Sequence, residues 1–160
     1  MGLNVSDLKG WKDPMPSKGH VVLRILEARE ITGKKPDANG EVSTGMGFKL
    51  EIAGPASATM NDGSPALAFS FDHALFLPRA SLVESNPRVA TRMRGDFARF
   101  LEAAFGNDIP DEVSEDDWTG KLIAADIYVA FDAYRSTDVV KLGSVRALTE
   151  AEIEEIAIGF

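Results

Sequence analysis

The chain has 160 residues, no cysteine, only two histidines (His20 and His73) and a formal net charge of −8. That length suits one domain with tails. The lack of thiols excludes disulfides and thiolate metal sites, and no apolar run approaches the roughly 20 residues that span a bilayer. The N-terminus lacks the basic-then-apolar pattern of a secretion signal, so the expectation is a cytoplasmic protein with no membrane partner, no metal and no cofactor.

Residues 1–19 are rich in Pro, Lys and Gly and read as an irregular arm. From His20 to Ile31, Val21, Leu23 and Ile25 are set against Arg24 and Glu27, the pattern of a first strand. Residues 32–44 are a loop with two turn signals, Lys35-Pro36-Asp37 and Asn39-Gly40. Met46, Phe48, Leu50 and Ile52 alternate with Gly47, Lys49, Glu51 and Ala53, the cleanest two-residue period in the chain. Residues 54–64 are a further loop, and Ala66 to Leu77 reads as a third strand that is apolar on both faces. Asn86-Pro87 signals a helix start. Val89, Met93, Phe97, Phe100, Leu101 and Ala104 form its apolar face, Arg88, Arg92 and Arg99 lie opposite, and Gly106 is placed to end it. Beyond an acidic loop, Leu122 to Phe131 is a fourth strand, with Ile123, Ala125, Ile127, Val129 and Phe131 on one side. Asp132 to Asp138 turns, Val139 to Ala147 is a fifth strand, and Thr149 caps a short acidic helix.

The negative charge is concentrated. Residues 107–120 hold six acids and the segment from Glu150 holds four, with no base in either. Without those ten the chain has 15 acids against 17 bases, a body of +2. Anion binding depends on local potential, so such a body can hold a basic groove.

Three strands, a helix and two strands is the order of an OB-fold, a small five-stranded barrel with the helix between the third and fourth strands. The expected architecture is therefore mainly β with one principal helix: an arm over 1–19, an OB-fold barrel over 20–147, and an acidic tail over 148–160. Such barrels hold single strands across the second and third strands, between the loops that follow the first and fourth. Phosphates need Lys or Arg and unstacked bases need flat rings. Lys34 and Lys35 fall in the first loop, Tyr134 and Arg135 in the second, and Arg24, Lys49, Tyr128 and Lys141 on polar strand faces. His73 reads as a surface or cleft residue, because its sequence neighbour Asp72 points to the opposite face. One of Phe69, Phe71 and Phe76 is available to the cleft. Trp11 and Trp118, flanked by charge, read as pins for the arm and a loop. No nucleophile, phosphate-loop or metal motif is present, so no enzymatic activity is expected.

The chain closes on Glu154-Glu155-Ile156-Ala157-Ile158-Gly159-Phe160. A partner could bury the terminal ring and hold its carboxylate. The competing expectation is a helix packed on its own domain, since Ile153 and Ile156 lie three apart.

Ile158-Gly159-Phe160 matches two of the three positions of the Ile-Pro-Phe that ends bacterial and phage single-stranded DNA-binding proteins. Gly19-His20-Val21-Val22-Leu23, Glu27-Ala28-Arg29-Glu30 and Phe48-Lys49-Leu50-Glu51-Ile52 resemble the opening hairpin of the phage-encoded OB-fold members. Phe97 to Gly106 and Trp118-Thr119-Gly120-Lys121-Leu122 resemble their helix and the entry to their fourth strand. The resemblance spans 20–147 together with the tail. The Gly/Pro/Gln-rich linker usual before such a tip is missing. The resemblance implies a non-enzymatic protein that coats single-stranded DNA in phage replication and recombination, with little sequence preference. It also implies a tail (Glu154, Glu155, Ile156, Ile158, Phe160) that recruits replication or recombination proteins, and it is compatible with an oligomer. The alternative from another class is a protein-interaction or virion accessory domain with an OB-like barrel.

Overall fold

The structure, a computed structural model, describes residues 2–158, with Ile158 as backbone only. Five strands form one antiparallel sheet: β1 (Gly19–Thr32), β2 (Thr44–Gly54), β3 (Ser70–Leu77), β4 (Leu122–Asp132) and β5 (Thr137–Arg146), in the order β3-β2-β1-β4-β5. Four helices accompany it: α1 (Ala80–Ser85), α2 (Pro87–Phe105), α3 (Glu115–Trp118) and α4 (Glu150–Ile158).

The mainly β character and the principal helix between the third and fourth strands agree with the sequence expectation. The sheet is open: its edges β3 and β5 approach one another but share no hydrogen-bonded ladder among the described residues. α2 packs across β3, β4 and β5. Its start is set by the Asn86 side chain, which accepts from the Val89 amide at 3.3 Å, followed by Pro87 at the first helical position. Gly106, at φ 65°, ends it.

The core lies between the inner face of the sheet and α2. Leu23, Ile25, Phe48, Leu50, Ile52, Ile123 and Ile127 are buried there with Phe100 of α2. Trp118, at the end of α3, closes the cluster: its ring lies 4.8 Å from Phe48, 5.8 Å from Phe100 and 5.0 Å from Phe105. Each such side chain contributes about 1.5–3 kcal/mol by leaving water. Trp118 thus pins its loop as expected. Trp11 does not pin the arm: it is exposed, and its indole donates only to Asp13, at 3.2 Å. The arm is held further along, where Ser17 and Met15 bond to Thr59 and Asn61.

The third strand is shorter than expected. Ala68 has φ 71°, which breaks the extended run, so Ala66 to Phe69 precede the strand as a turn. α1 lies between the third strand and the Asn86-Pro87 start signal, where no element was expected, and α3 lies within the acidic loop. α3 owes its place to a capping box in which Ser114 and Asp117 bond reciprocally.

Two register shifts decide which residues share the outer face. In β1, Ile25 pairs with Leu50 but Glu27 pairs with Lys49, leaving Leu26 as a bulge. Strict alternation would place Glu27, Arg29 and Ile31 with the core residues. The bulge turns them outward, opposite Lys49, Gly47 and Gly45 of β2. A second shift between Val22 and Leu23 sets Val22 opposite Gly54.

Candidate functional site

The outer face of the sheet has two different ends. At one end the partners Ala74–Gly47–Arg29 and Asp72–Lys49–Glu27 run across β3, β2 and β1. They floor a groove of about 1010 Å³. The β1–β2 loop supplies one wall with Gly33, Lys34 and Lys35. The β4–β5 turn supplies the other with Asp132, Tyr134 and Arg135. Phe76 and Arg79 line it from the end of β3.

Six cationic side chains line this groove (Arg29, Lys34, Lys35, Lys49, Arg79, Arg135) against three carboxylates (Glu27, Asp72, Asp132). Asp132 is partly used within its own turn: it accepts from the Tyr134 and Arg135 amides and lies 3.9 Å from the Arg135 guanidinium. Tyr134 projects from the turn and is 82% exposed, which leaves its ring free for stacking. A chain of net −8 therefore presents a locally cationic trough with an exposed ring at its lip.

The β1–β2 loop is fixed in place rather than being a loose hairpin tip. The Ser81 hydroxyl at the start of α1 donates to Asp37, whose carboxylate also accepts from the Asn39 and Glu41 amides at 2.9 Å. The Ser81 amide donates to Glu41 at 3.3 Å. The Ser81 bond, then the Glu41 amide, hold the Asp37 carboxyl below its ordinary range. Lys34 and Lys35, exposed on the same loop, are thereby presented at a set position.

Of the nine residues nominated from the sequence, Lys34, Lys35, Lys49, His73, Tyr134 and Arg135 line this groove together. His73 adjoins the groove from the inner face of β3 and adds no charge to it. Its ring stacks on Phe100, with centroids 5.8 Å apart and planes at 25°, and burial, with Lys141 adding to it, pushes its pKa down to about 4. The other three lie elsewhere. Arg24 faces outward on β1, 3.6 Å from Glu51, outside the groove lining. Tyr128 and Lys141 are cross-strand partners on the exposed β4–β5 ribbon.

The groove residues that were not nominated include Arg29, Phe76 and Arg79. Arg29 was hidden by the bulge at Leu26; its only trace in the sequence is the apolar pair Ile25-Leu26, which breaks the alternation. Phe76 is the strand-three aromatic that reaches the groove, whereas Phe69 and Phe71 pack against the core. Arg79 sits between Pro78 and α1, where no pattern marks it.

At the other end of the face, the partners Gly54–Val22–Ala124–Arg146 cross four strands, and α4 lies over them. A Cβ on Gly54 would stand 3.5 Å from Ile156, an ordinary van der Waals distance, so Ile156 lies directly over this position. Arg146 binds Glu152 with both nitrogens, at 2.7 and 3.2 Å, and Thr149 and Glu152 close a capping box. His20 joins the cluster, 3.0 Å from Asp126 and 3.4 Å from Glu152. The guanidinium holds the Glu152 carboxyl well below the carboxylate range, at about 2. Of the nominated tail residues, Ile156 is half-buried against this surface and Glu154 and Glu155 are exposed. Ile153, paired with Ile156 in the packed-helix expectation, points to solvent. The Ile158 side chain and Phe160 lie outside the described residues.

Among the described residues no cluster of His, Asp and Glu has the geometry to hold a metal ion, and no helix is long and apolar enough to cross a membrane. Compared with models of protein families and with curated proteins, the chain matches none.

Proposed function

We propose that the groove binds single-stranded nucleic acid, with single-stranded DNA as the ligand, and that the fold is an open member of the OB class. The strand order, the helix between the third and fourth strands, and the position of the groove support this reading. OB-type barrels bind single strands on the face of the second and third strands, between the loops following the first and fourth. The observation that carries it is the convergence of both loops on one trough with six cations, an exposed tyrosine and only three carboxylates, in an acidic chain.

In this reading the cations take the phosphates and release counterions, while Tyr134 and Phe76 offer faces to unstacked bases. Neither mode reads base edges, so binding is tolerant of sequence. No group in the groove is arranged to break a bond, and the role proposed is to coat and protect single strands during replication or recombination, as in phages.

Fluorescence anisotropy of labelled oligo-dT 30-mer tests the proposal. Binding at low salt that weakens steadily as salt rises is expected. No binding at low salt removes it and leaves a protein-interaction domain as the reading, for which the exposed Phe131 on the β4–β5 ribbon is the first surface to examine.

A further inference from the structure

We infer that Arg79 is a fixed phosphate-binding residue of the groove, holding one phosphodiester of the bound strand. The inference rests on the nucleic-acid reading of the groove and adds to it a residue that no sequence pattern marks.

Arg79 follows β3 directly, and its carbonyl accepts from the Leu82 and Val83 amides, both at 3.0 Å. Its backbone is therefore held as the cap of α1. The side chain is half-buried and lines the groove, and its Nε is buried with no hydrogen-bond partner among the described residues. A buried unsatisfied donor is costly, more so when the group is charged. No carboxylate among the described residues stands within ion-pair distance of the guanidinium. The acid whose field it shares, Asp37, is already engaged by Ser81, Asn39 and Glu41.

A guanidinium presents five donors in a planar fork that suits a phosphate. One partly desolvated, held by its backbone and lacking an acceptor is prepared for an oxyanion that arrives from the groove. Lys34 and Lys35 differ: they are exposed ammonium groups, compact charges without the planar fork. Arg79 sets where a phosphate rests, and Phe76, three residues before it, lines the same trough and offers a ring to the base beside that phosphate.

The test uses the full chain, labelled dT 30-mer and a salt series, on wild type, R79A and R79K. R79A is expected to bind about tenfold more weakly and to lower the slope of log K against log salt by about 0.7, the share of one phosphate on a single strand. R79K keeps the charge and hence the slope, but recovers only part of the affinity because an ammonium lacks the fork. If wild type binds with the expected salt dependence while R79A keeps both affinity and slope, the inference is overturned and the groove reading stands. A lower melting temperature for R79A with an unchanged slope assigns Arg79 a structural role and also overturns it. If wild type does not bind, the groove reading fails, and this inference with it.

Discussion

In the proposed complex the lysines and the tyrosine of the two loops would act on the strand by different physics, and substitutions separate them. Replacing both Lys34 and Lys35 by Ala removes two phosphate contacts; the salt slope should fall by about 1.4, with similar losses for all base sequences. Tyr134→Ala should cost about 1–3 kcal/mol of binding with no change in slope, because stacking releases few ions. Normal binding by a folded Tyr134 variant removes the β4–β5 turn from the interface. His73 has its effect on the fold. Desolvation, with Lys141 adding to it, lowers its pKa from 6.5 to about 4, so between those values the unfolded chain binds the proton and the folded chain does not. The contribution of neutral His73 is therefore complete above pH 6.5 and is lost as pH falls towards 4. A pH series of melting temperatures should show this decline, and His73→Phe, which keeps a ring against Phe100, should flatten it. Four of the six groove cations, Lys34, Lys35, Lys49 and Arg135, could be read from the sequence, because loop and polar-face positions mark them. Arg29 could not, because one extra residue at Leu26 reverses the parity of everything after it.

At the level of elements, α4 is docked, and its removal should be felt by the fold. Ile156 covers Gly54, and Glu152 is clamped by Arg146 with His20 beside it. Deleting residues from Glu152 onward uncovers Val22 and leaves Arg146 without its partner; the melting temperature should drop measurably. An unchanged melting temperature would mean that the helix contributes nothing by lying there. The Glu152 carboxyl, held at about 2 by Arg146, gives the docking an acid limit: it is at full strength above the ordinary carboxylate range and fails as pH falls through about 2. Glu152→Gln should loosen the helix at neutral pH, seen as faster amide exchange over α4. The sequence showed that this segment is a short acidic helix capped by Thr149. It did not show where the helix lies, since its landing site is assembled from Gly54, Val22, Ala124 and Arg146 on four strands. The β1–β2 loop carries a similar lesson. Its turn signals were visible, but its attachment to Ser81 joins residues 40 and 44 positions apart.

For the whole molecule, the element order and the inner face were legible because alternation and helical spacing report burial directly. The openness of the sheet, the bulges and the division of its outer face are products of pairing register, which a single chain does not display. The charge distribution follows the same division. The acidic stretches of 107–120 and α4 leave the trough as a locally cationic surface, so at low ionic strength association should be fast despite the net charge of −8 and should slow as salt screens the trough. Stopped-flow mixing across a salt series checks this; a rate independent of salt would argue against steering by the trough. One consequence concerns direction. α4, with its acidic side chains, lies at the Gly54 and Val22 end of this face, while Phe76 and the two loops stand at the other. In the proposed complex a polyanion would meet acidic side chains at the helix and none of them past the loops, so the two termini of a bound strand would stand in unequal surroundings. If the trough holds a single strand as proposed, the docked α4 gives that complex a head and a tail, and successive copies on one strand would face the same way.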